Sequence, residues 1–92
     1  MPTEQGAEQV RTRQARTVRI VVTLKPGVLD APGQAIRQGL DALGHRGVHS
    51  IRAGKYFEVD LADDGRIEER VREMCEGFLA NTLIEEYRYE VL

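Results

Sequence analysis

The side chains able to do chemistry in this 92-residue chain are few and poorly placed for one another. His45 and His49 are four apart, a spacing that suits a metal on a helix, but Gly47 lies between them and no third ligand stands near. They read as a solvated loop pair. Cys75 would need a neighbouring base and an electropositive setting to act as a nucleophile. It falls beside an apolar stripe, between Met74 and Glu76, and reads as a packed core cysteine. Asp63, Asp64, Glu68 and Glu69 could suggest a metal or acid–base pair, yet a turn followed by a first helical turn explains them by capping and the helix dipole. Gly54-Lys55 could offer a cation to a phosphate, but no glycine-rich loop surrounds it. It reads as a kink or bulge glycine with an exposed lysine, or as a contact with another protein.

The bulk properties narrow the function further. Net charge is −2, with 30% charged residues of interspersed sign, so no broad basic surface for nucleic acid is expected. No apolar run reaches the length of a membrane span, and no signal-like apolar stretch follows the N-terminal charges. One cysteine fits a reducing compartment, so a cytoplasmic location is expected. A chain this short buries a modest core and often gains stability by oligomerising. Residues 1–16 hold arginines at 11, 13 and 16 but almost no large apolar side chains. They read as a disordered extension rather than a basic arm, leaving 17–92 as one domain.

The remaining pattern is strand, helix, long strand, helix, strand. Val18, Ile20, Val22 and Leu24 alternate with Thr17, Arg19, Thr23 and Lys25, broken at Val21, until Pro26-Gly27. A helix runs from Asp30, its cap, to Leu43, with Ile36, Leu40 and Leu43 as its stripe and Gly44 and Gly47 as stops. Val48–Leu61 is long for a strand, and Gly54 within it marks a bend in preference to a hairpin. Asp63 or Asp64 caps a second helix reaching Leu79, with Ile67, Val71, Met74 and Phe78 buried and Asn81 as its C-terminal cap. The last strand, Thr82–Leu92, puts Tyr87, Tyr89 and Val91 on one face and Glu86, Arg88 and Glu90 on the other. Each helix links consecutive strands, so a right-handed crossover is available to each. The expected fold is α+β: a two-layer sandwich, ferredoxin-like in style, with two helices on one face of a small sheet. Its other face, carrying Val21 and Tyr56, would be half-apolar and invite another subunit.

Three stretches in one order carry a family likeness: Leu24-Lys25-Pro26-Gly27-Val28-Leu29-Asp30 with Pro32-Gly33, then Gly54-Lys55-Tyr56-Phe57-Glu58-Val59, then Met74-Cys75-Glu76 through Leu79-Ala80-Asn81-Thr82 to Ile84-Glu85-Glu86-Tyr87-Arg88-Tyr89-Glu90. Over 18–92 the chain resembles the PurS family, the small subunit of phosphoribosylformylglycinamidine synthase. That resemblance implies a non-catalytic assembly role in purine biosynthesis. It implies partners too: a glutaminase subunit, a larger ATP-dependent synthetase subunit, and further copies of the chain as a homodimer or dimer of dimers. Ammonia released by the first enzyme is used by the second, and the small subunit bridges them. ATP and Mg would serve the complex, with no cofactor held by this chain. Arg52, Lys55, Tyr56, Asn81, Tyr87 and Arg88 are the expected contact residues, from exposure and motif position. The alternative reading is a small-ligand-binding regulatory α+β module.

Overall fold

The computed structural model describes residues 15–92. It contains β1 (Ala15–Leu24), α1 (Ala31–Ala42), β2 (Gly54–Ala62), α2 (Ile67–Met74) running into a π-helical turn (Cys75–Leu79), and β3 (Glu85–Val91). The α+β reading therefore holds: a three-stranded sheet with two helices. The strand order is β2-β1-β3, and both outer strands run antiparallel to β1. Only α2 thus joins strands of the same direction, passing from β2 to β3 across β1. The expectation of a crossover at each helix fails at α1, because β1 and β2 are antiparallel neighbours and need none.

Period-two alternation along β1 divides the molecule. Val18, Ile20 and Val22 are fully buried, and their cross-strand partners are Val59, Phe57 and Lys55 on β2 and Val91, Tyr89 and Tyr87 on β3. Val71 and Cys75 come down onto them from α2, joined by Leu61 and Ala80. Each large aliphatic side chain fully withdrawn from water here contributes roughly 1.5–3 kcal/mol. β1 begins at Ala15, two residues before the expected boundary, because Ala15 and Arg16 pair with Ala62 and Leu61. Arg16 also donates from Nε to the Leu92 carbonyl at 2.9 Å, so it belongs to the sheet and not to a basic arm. Arg11 and Arg13, with the rest of the expected extension up to residue 14, lie outside the described residues.

Several boundaries differ from expectation, each for a local reason. β2 starts at Gly54, paired with Thr23, so Gly54 is neither a mid-strand bend nor a hairpin. Residues 48–53 have no strand to pair with once β1 has ended. Glycine is needed at 54 because a Cβ there would overlap the Val22 carbonyl oxygen. Asp63 and Asp64 accept from the amides of Gly65 and Arg66, making the turn before α2, while the helix N-cap is Arg66 without a side-chain bond. α1 ends as expected at Gly44, at φ 95°, where Gly44 N–H bonds Asp41 O and His45 N–H bonds Leu40 O, a Schellman closure.

The end of α2 is the largest departure. Ala80 N–H donates to Cys75 O at 2.9 Å, a wide π-type turn. Up to Cys75 the helical period buries Val71 and Cys75. The extra residue in the next turn then rotates Phe78 outward, to 89% exposure, and brings Leu79 and Ala80 inward in its place. The helix closes on Ala80 in extended conformation, so Asn81 is not its cap. Asn81 instead opens a turn: its Oδ1 accepts from Leu83 N and its carbonyl from Ile84 and Glu85. That turn consumes Thr82–Ile84, and the last strand starts later than its residues suggested. Phe78→Ser should therefore change stability by no more than about 0.5 kcal/mol, whereas Val71→Ala should cost about 2 kcal/mol, both read by urea denaturation.

Candidate docking surface

The face of the sheet opposite α2 has no element over it among the described residues. Rows of residues cross it in register. Val21 of β1 lies between Tyr56 of β2 and Arg88 of β3; Arg19 lies between Glu58 and Glu90; Thr17 lies beside Asp60. The outer row is closed by a hydrogen bond from Thr17 Oγ1 to Asp60 Oδ1 at 2.9 Å. In the next, Arg19 pairs with Glu58 at 3.7 Å, and Glu58 also accepts the Tyr56 hydroxyl at 3.0 Å. Local desolvation and then this bond to Glu58 hold the Tyr56 phenol above its ordinary pKa. Tyr56 remains 56% exposed. A shallow cleft of about 260 Å³ opens here, lined by Arg19, Val21, Tyr56, Arg88, Tyr89 and Glu90. It has an apolar floor, an aromatic wall and a guanidinium, within a rim of opposed charges. Surfaces of this composition are typical of protein contacts.

Of the expected contact residues, the structure brings Tyr56 and Arg88 together on this face. Arg52, Lys55 and Asn81 gather elsewhere, at the end of the sheet where β1 stops. Arg52 donates to the Leu24 carbonyl and to Thr23 Oγ1 and pairs with Glu86 at 3.6 Å. Lys55 Nζ donates to the Leu79 carbonyl at 3.2 Å, satisfying an orphan acceptor at the end of the π-turn, and pairs with Glu85 at 3.7 Å. Glu85 accepts from Asn81 N–H at 2.7 Å. These three therefore lock the β2, α2 and β3 ends together. Tyr87 stands on the covered face, where its hydroxyl donates to Glu76 at 2.7 Å, and that bond, with desolvation, pushes the phenol up to about 12. It is a strut between β3 and α2. Arg19, Glu58 and Glu90 were missed as members of the open face; the strand parity that placed Val21 there also places them, once the register is known.

Asp30 does more than cap. Its Oδ1 accepts from Gly33 N–H at 2.9 Å, as expected of an N-cap, and its Oδ2 accepts from Ala53 N–H at 2.9 Å. The Ala53 amide, then the Gly33 amide, hold this carboxyl below the ordinary carboxylate range. Gly33 must lack a side chain because a Cβ would overlap the Ile51 carbonyl oxygen. The Pro32-Gly33 pair and Gly54 thus both serve close backbone approaches.

Reactive groups are not drawn together. Cys75 is fully buried on the other side of the sheet, and desolvation raises its thiol pKa, the opposite of an activated nucleophile. His45 and His49 stay exposed in irregular chain. Among the described residues no group of three or more His, Cys, Asp or Glu side chains is arranged to hold a metal ion.

Comparison with known proteins decides the lineage. The family model described as PurS, phosphoribosylformylglycinamidine (FGAM) synthase, matches residues 17–92. The chain belongs to the PurS family. It is similar to the phosphoribosylformylglycinamidine synthase subunit PurS of Bacillus subtilis, with 44% identity over 75 residues covering 80% of this chain and 89% of the relative. The PurS subunit of a Synechocystis strain is 45% identical over 75 residues, 79% of this chain and 75% of the relative. Among solved structures, B. subtilis PurS superposes with a TM-score of 0.78 at 42% identity, covering 84% of this chain and 98% of that one. A chain of the PurLQS structure of Thermotoga maritima superposes with a TM-score of 0.75 at 26% identity, covering 85% and 98%.

The Asp30 geometry sets a pH dependence. A carboxyl whose folded pKa is depressed contributes stability that is complete above its unfolded value and lost as pH falls through the folded value. The stability difference between wild type and Asp30→Asn should be full at neutral pH. It should narrow once the pH drops below the ordinary aspartate range and close when Asp30 is protonated, as followed by urea denaturation across an acid series.

Proposed function

We propose that this chain is a non-catalytic assembly subunit of phosphoribosylformylglycinamidine synthase in purine biosynthesis. In this reading it sits between the glutaminase and the ATP-dependent synthetase subunits and supports the passage of ammonia from one to the other. The family membership supports the reading, together with the likeness to a chain of the PurLQS structure. The observation that carries the role is the sheet face around Val21, Tyr56 and Arg88, which no element among the described residues covers. The chain's own contribution is fitted surface. Ammonia in water is protonated and diluted, and a closed protein contact prevents both. ATP and Mg then belong to the synthetase subunit. The open face serves as the contact with a companion subunit or a second copy, with Tyr56 and Arg88 at its centre and Arg52, Lys55 and Asn81 shaping its end. None of the described helices is long and apolar enough to cross a membrane, which accords with work in the cytoplasm.

The test is reconstitution with purified glutaminase and synthetase subunits. Adding this chain should raise glutamine-dependent product formation and leave turnover on directly supplied ammonia little changed; no effect on the glutamine-dependent rate would sink the reading. Replacing Tyr56 and Arg88 together by Ala should weaken the chain's half-maximal activating concentration by roughly thirtyfold or more, as for central contact residues, without unfolding it.

A further inference from the structure

A second cleft, of about 490 Å³, lies between the first turns of α1, the turn at 27–29 and the chain at 49–51. It shares no lining residue with the face around Val21, Tyr56 and Arg88. Its volume falls in the range of sites for small organic molecules. The core does not call for it. α1 gives no side chain to the cluster built on Val18, Ile20 and Val22, and Gly33 is its one buried residue.

Backbone ties fix the walls. Asp30 accepts from Gly33 N–H with one oxygen and from Ala53 N–H with the other, which clamps the start of α1 to the chain opposite. Gly33 lies against the Ile51 carbonyl. The preceding turn is closed by Val28 N–H to Lys25 O at 3.1 Å, with Gly27 at φ 89°. Walls held in this way need little further ordering when a ligand enters. The same ties occupy the polar groups at the helix start. Both Asp30 oxygens are taken, Gly33 N–H goes to the Asp30 side chain and Gln34 N–H to its carbonyl. The Arg52 guanidinium offsets the Asp30 charge. The chemistry of the cleft therefore comes from side chains further along, not from the helix terminus.

Arg37 is the group left over. Two described arginines are half-buried, Arg37 and Arg70. Arg70 pairs with Asp64 at 3.5 Å, whereas Arg37 has no ion pair among the described residues. A guanidinium drawn partly out of water without an anion gives up hydration for no return. Gln34 stands one turn before it on the same wall, and His49 and Ser50 line the other. All four carry hydrogen-bond donors. Gln34 and Arg37 lie roughly 100° round the helix from Ile36, Leu40 and Leu43, so the cleft is distinct from the apolar side of α1. Leu29 and Ile51 give the cleft an apolar edge.

The donor set selects the ligand. Donors reach the cleft from two walls, so an anion between them needs acceptor oxygens pointing both ways. A carboxylate holds its oxygens in one plane. A tetrahedral phosphate presents three in different directions, and an arginine fork matches two of them. One arginine suits a single phosphate group and not a di- or triphosphate.

We infer that this cleft binds a small phosphate monoester, its phosphoryl oxygens held by Arg37, Gln34, His49 and Ser50 and its carbon body lying against Leu29 and Ile51. The site does not rest on the assembly reading and is tested on the isolated full chain. Titrating the nitrogen-15-labelled chain with glycerol 3-phosphate, in phosphate-free buffer, should give saturable amide shifts confined to residues 27–37 and 49–51. Arg37→Gln should raise the Kd roughly tenfold or more with the far-ultraviolet circular dichroism unchanged, the loss expected for a charge-assisted contact. His49→Asn, a change in exposed irregular chain, should raise it about threefold or more. Arg46→Gln removes an equal charge outside the lining and should change it by less than about twofold, because exposed charges are screened. Succinate should bind about tenfold more weakly than the phosphate ester or worse. Absence of saturable shifts, shifts centred on Tyr56 and the open face, undiminished affinity in Arg37→Gln, or succinate binding as tightly as the phosphate ester would each overturn the site.

Discussion

Pairing of β1 on both edges is the constraint from which the rest of the molecule follows. A strand flanked on either side must point alternate residues to opposite faces, and its two neighbours must run in register with it. With Val18, Ile20 and Val22 committed beneath α2, the residues between them have no freedom: Arg19, Val21 and Thr23 face the other way. The core and the open face are therefore two consequences of one alternation. A single-residue slip of β1 would bury Arg19 and expose Ile20, so the open face is protected by the same free energy that holds the core.

The polar ties at the end of the sheet have a different job. Where β1 stops, backbone groups of Leu24 and Leu79 would be left without partners, and Arg52 and Lys55 supply donors to them. Glu85 and Glu86 then balance those cations. Each exposed ion pair alone contributes little. Their value lies in position, because they join β2, the π-turn and β3 at the point where the chain leaves β1 for α1. The π-turn contributes to the same end: by adding one residue it exchanges Phe78 for Leu79 in the core and puts the Leu79 carbonyl within reach of Lys55.

Much of this was legible in the residues. The alternation of β1, broken only at Val21, that of β3, the glycine stop at Gly44, the placing of Val71 and Cys75 in the core and the uncovered position of Val21 and Tyr56 all follow from local sequence patterns. Boundaries were less legible wherever a partner elsewhere in the chain decided them. Residues 48–53 have the parity of a strand but no neighbour to pair with. Thr82–Ile84 have β-branched residues but are drawn into the turn that Asn81 organises. Of the residues singled out as contacts, Tyr56 and Arg88 share the face, while Tyr87, chosen by motif position although strand parity already set it opposite Arg88, turns to Glu76.

The sequence by itself determined the class of fold, the inward and outward residues of each strand, and the family to which the chain belongs, because period-two and helical patterns and a long run of specific residues are properties of neighbours along the chain. Only the tertiary structure decided that β2 and β3 flank β1, that the last turn of α2 widens, and that α1 stands away from its own sheet. Those outcomes depend on which backbone groups and apolar surfaces find partners in space, and no local pattern records that.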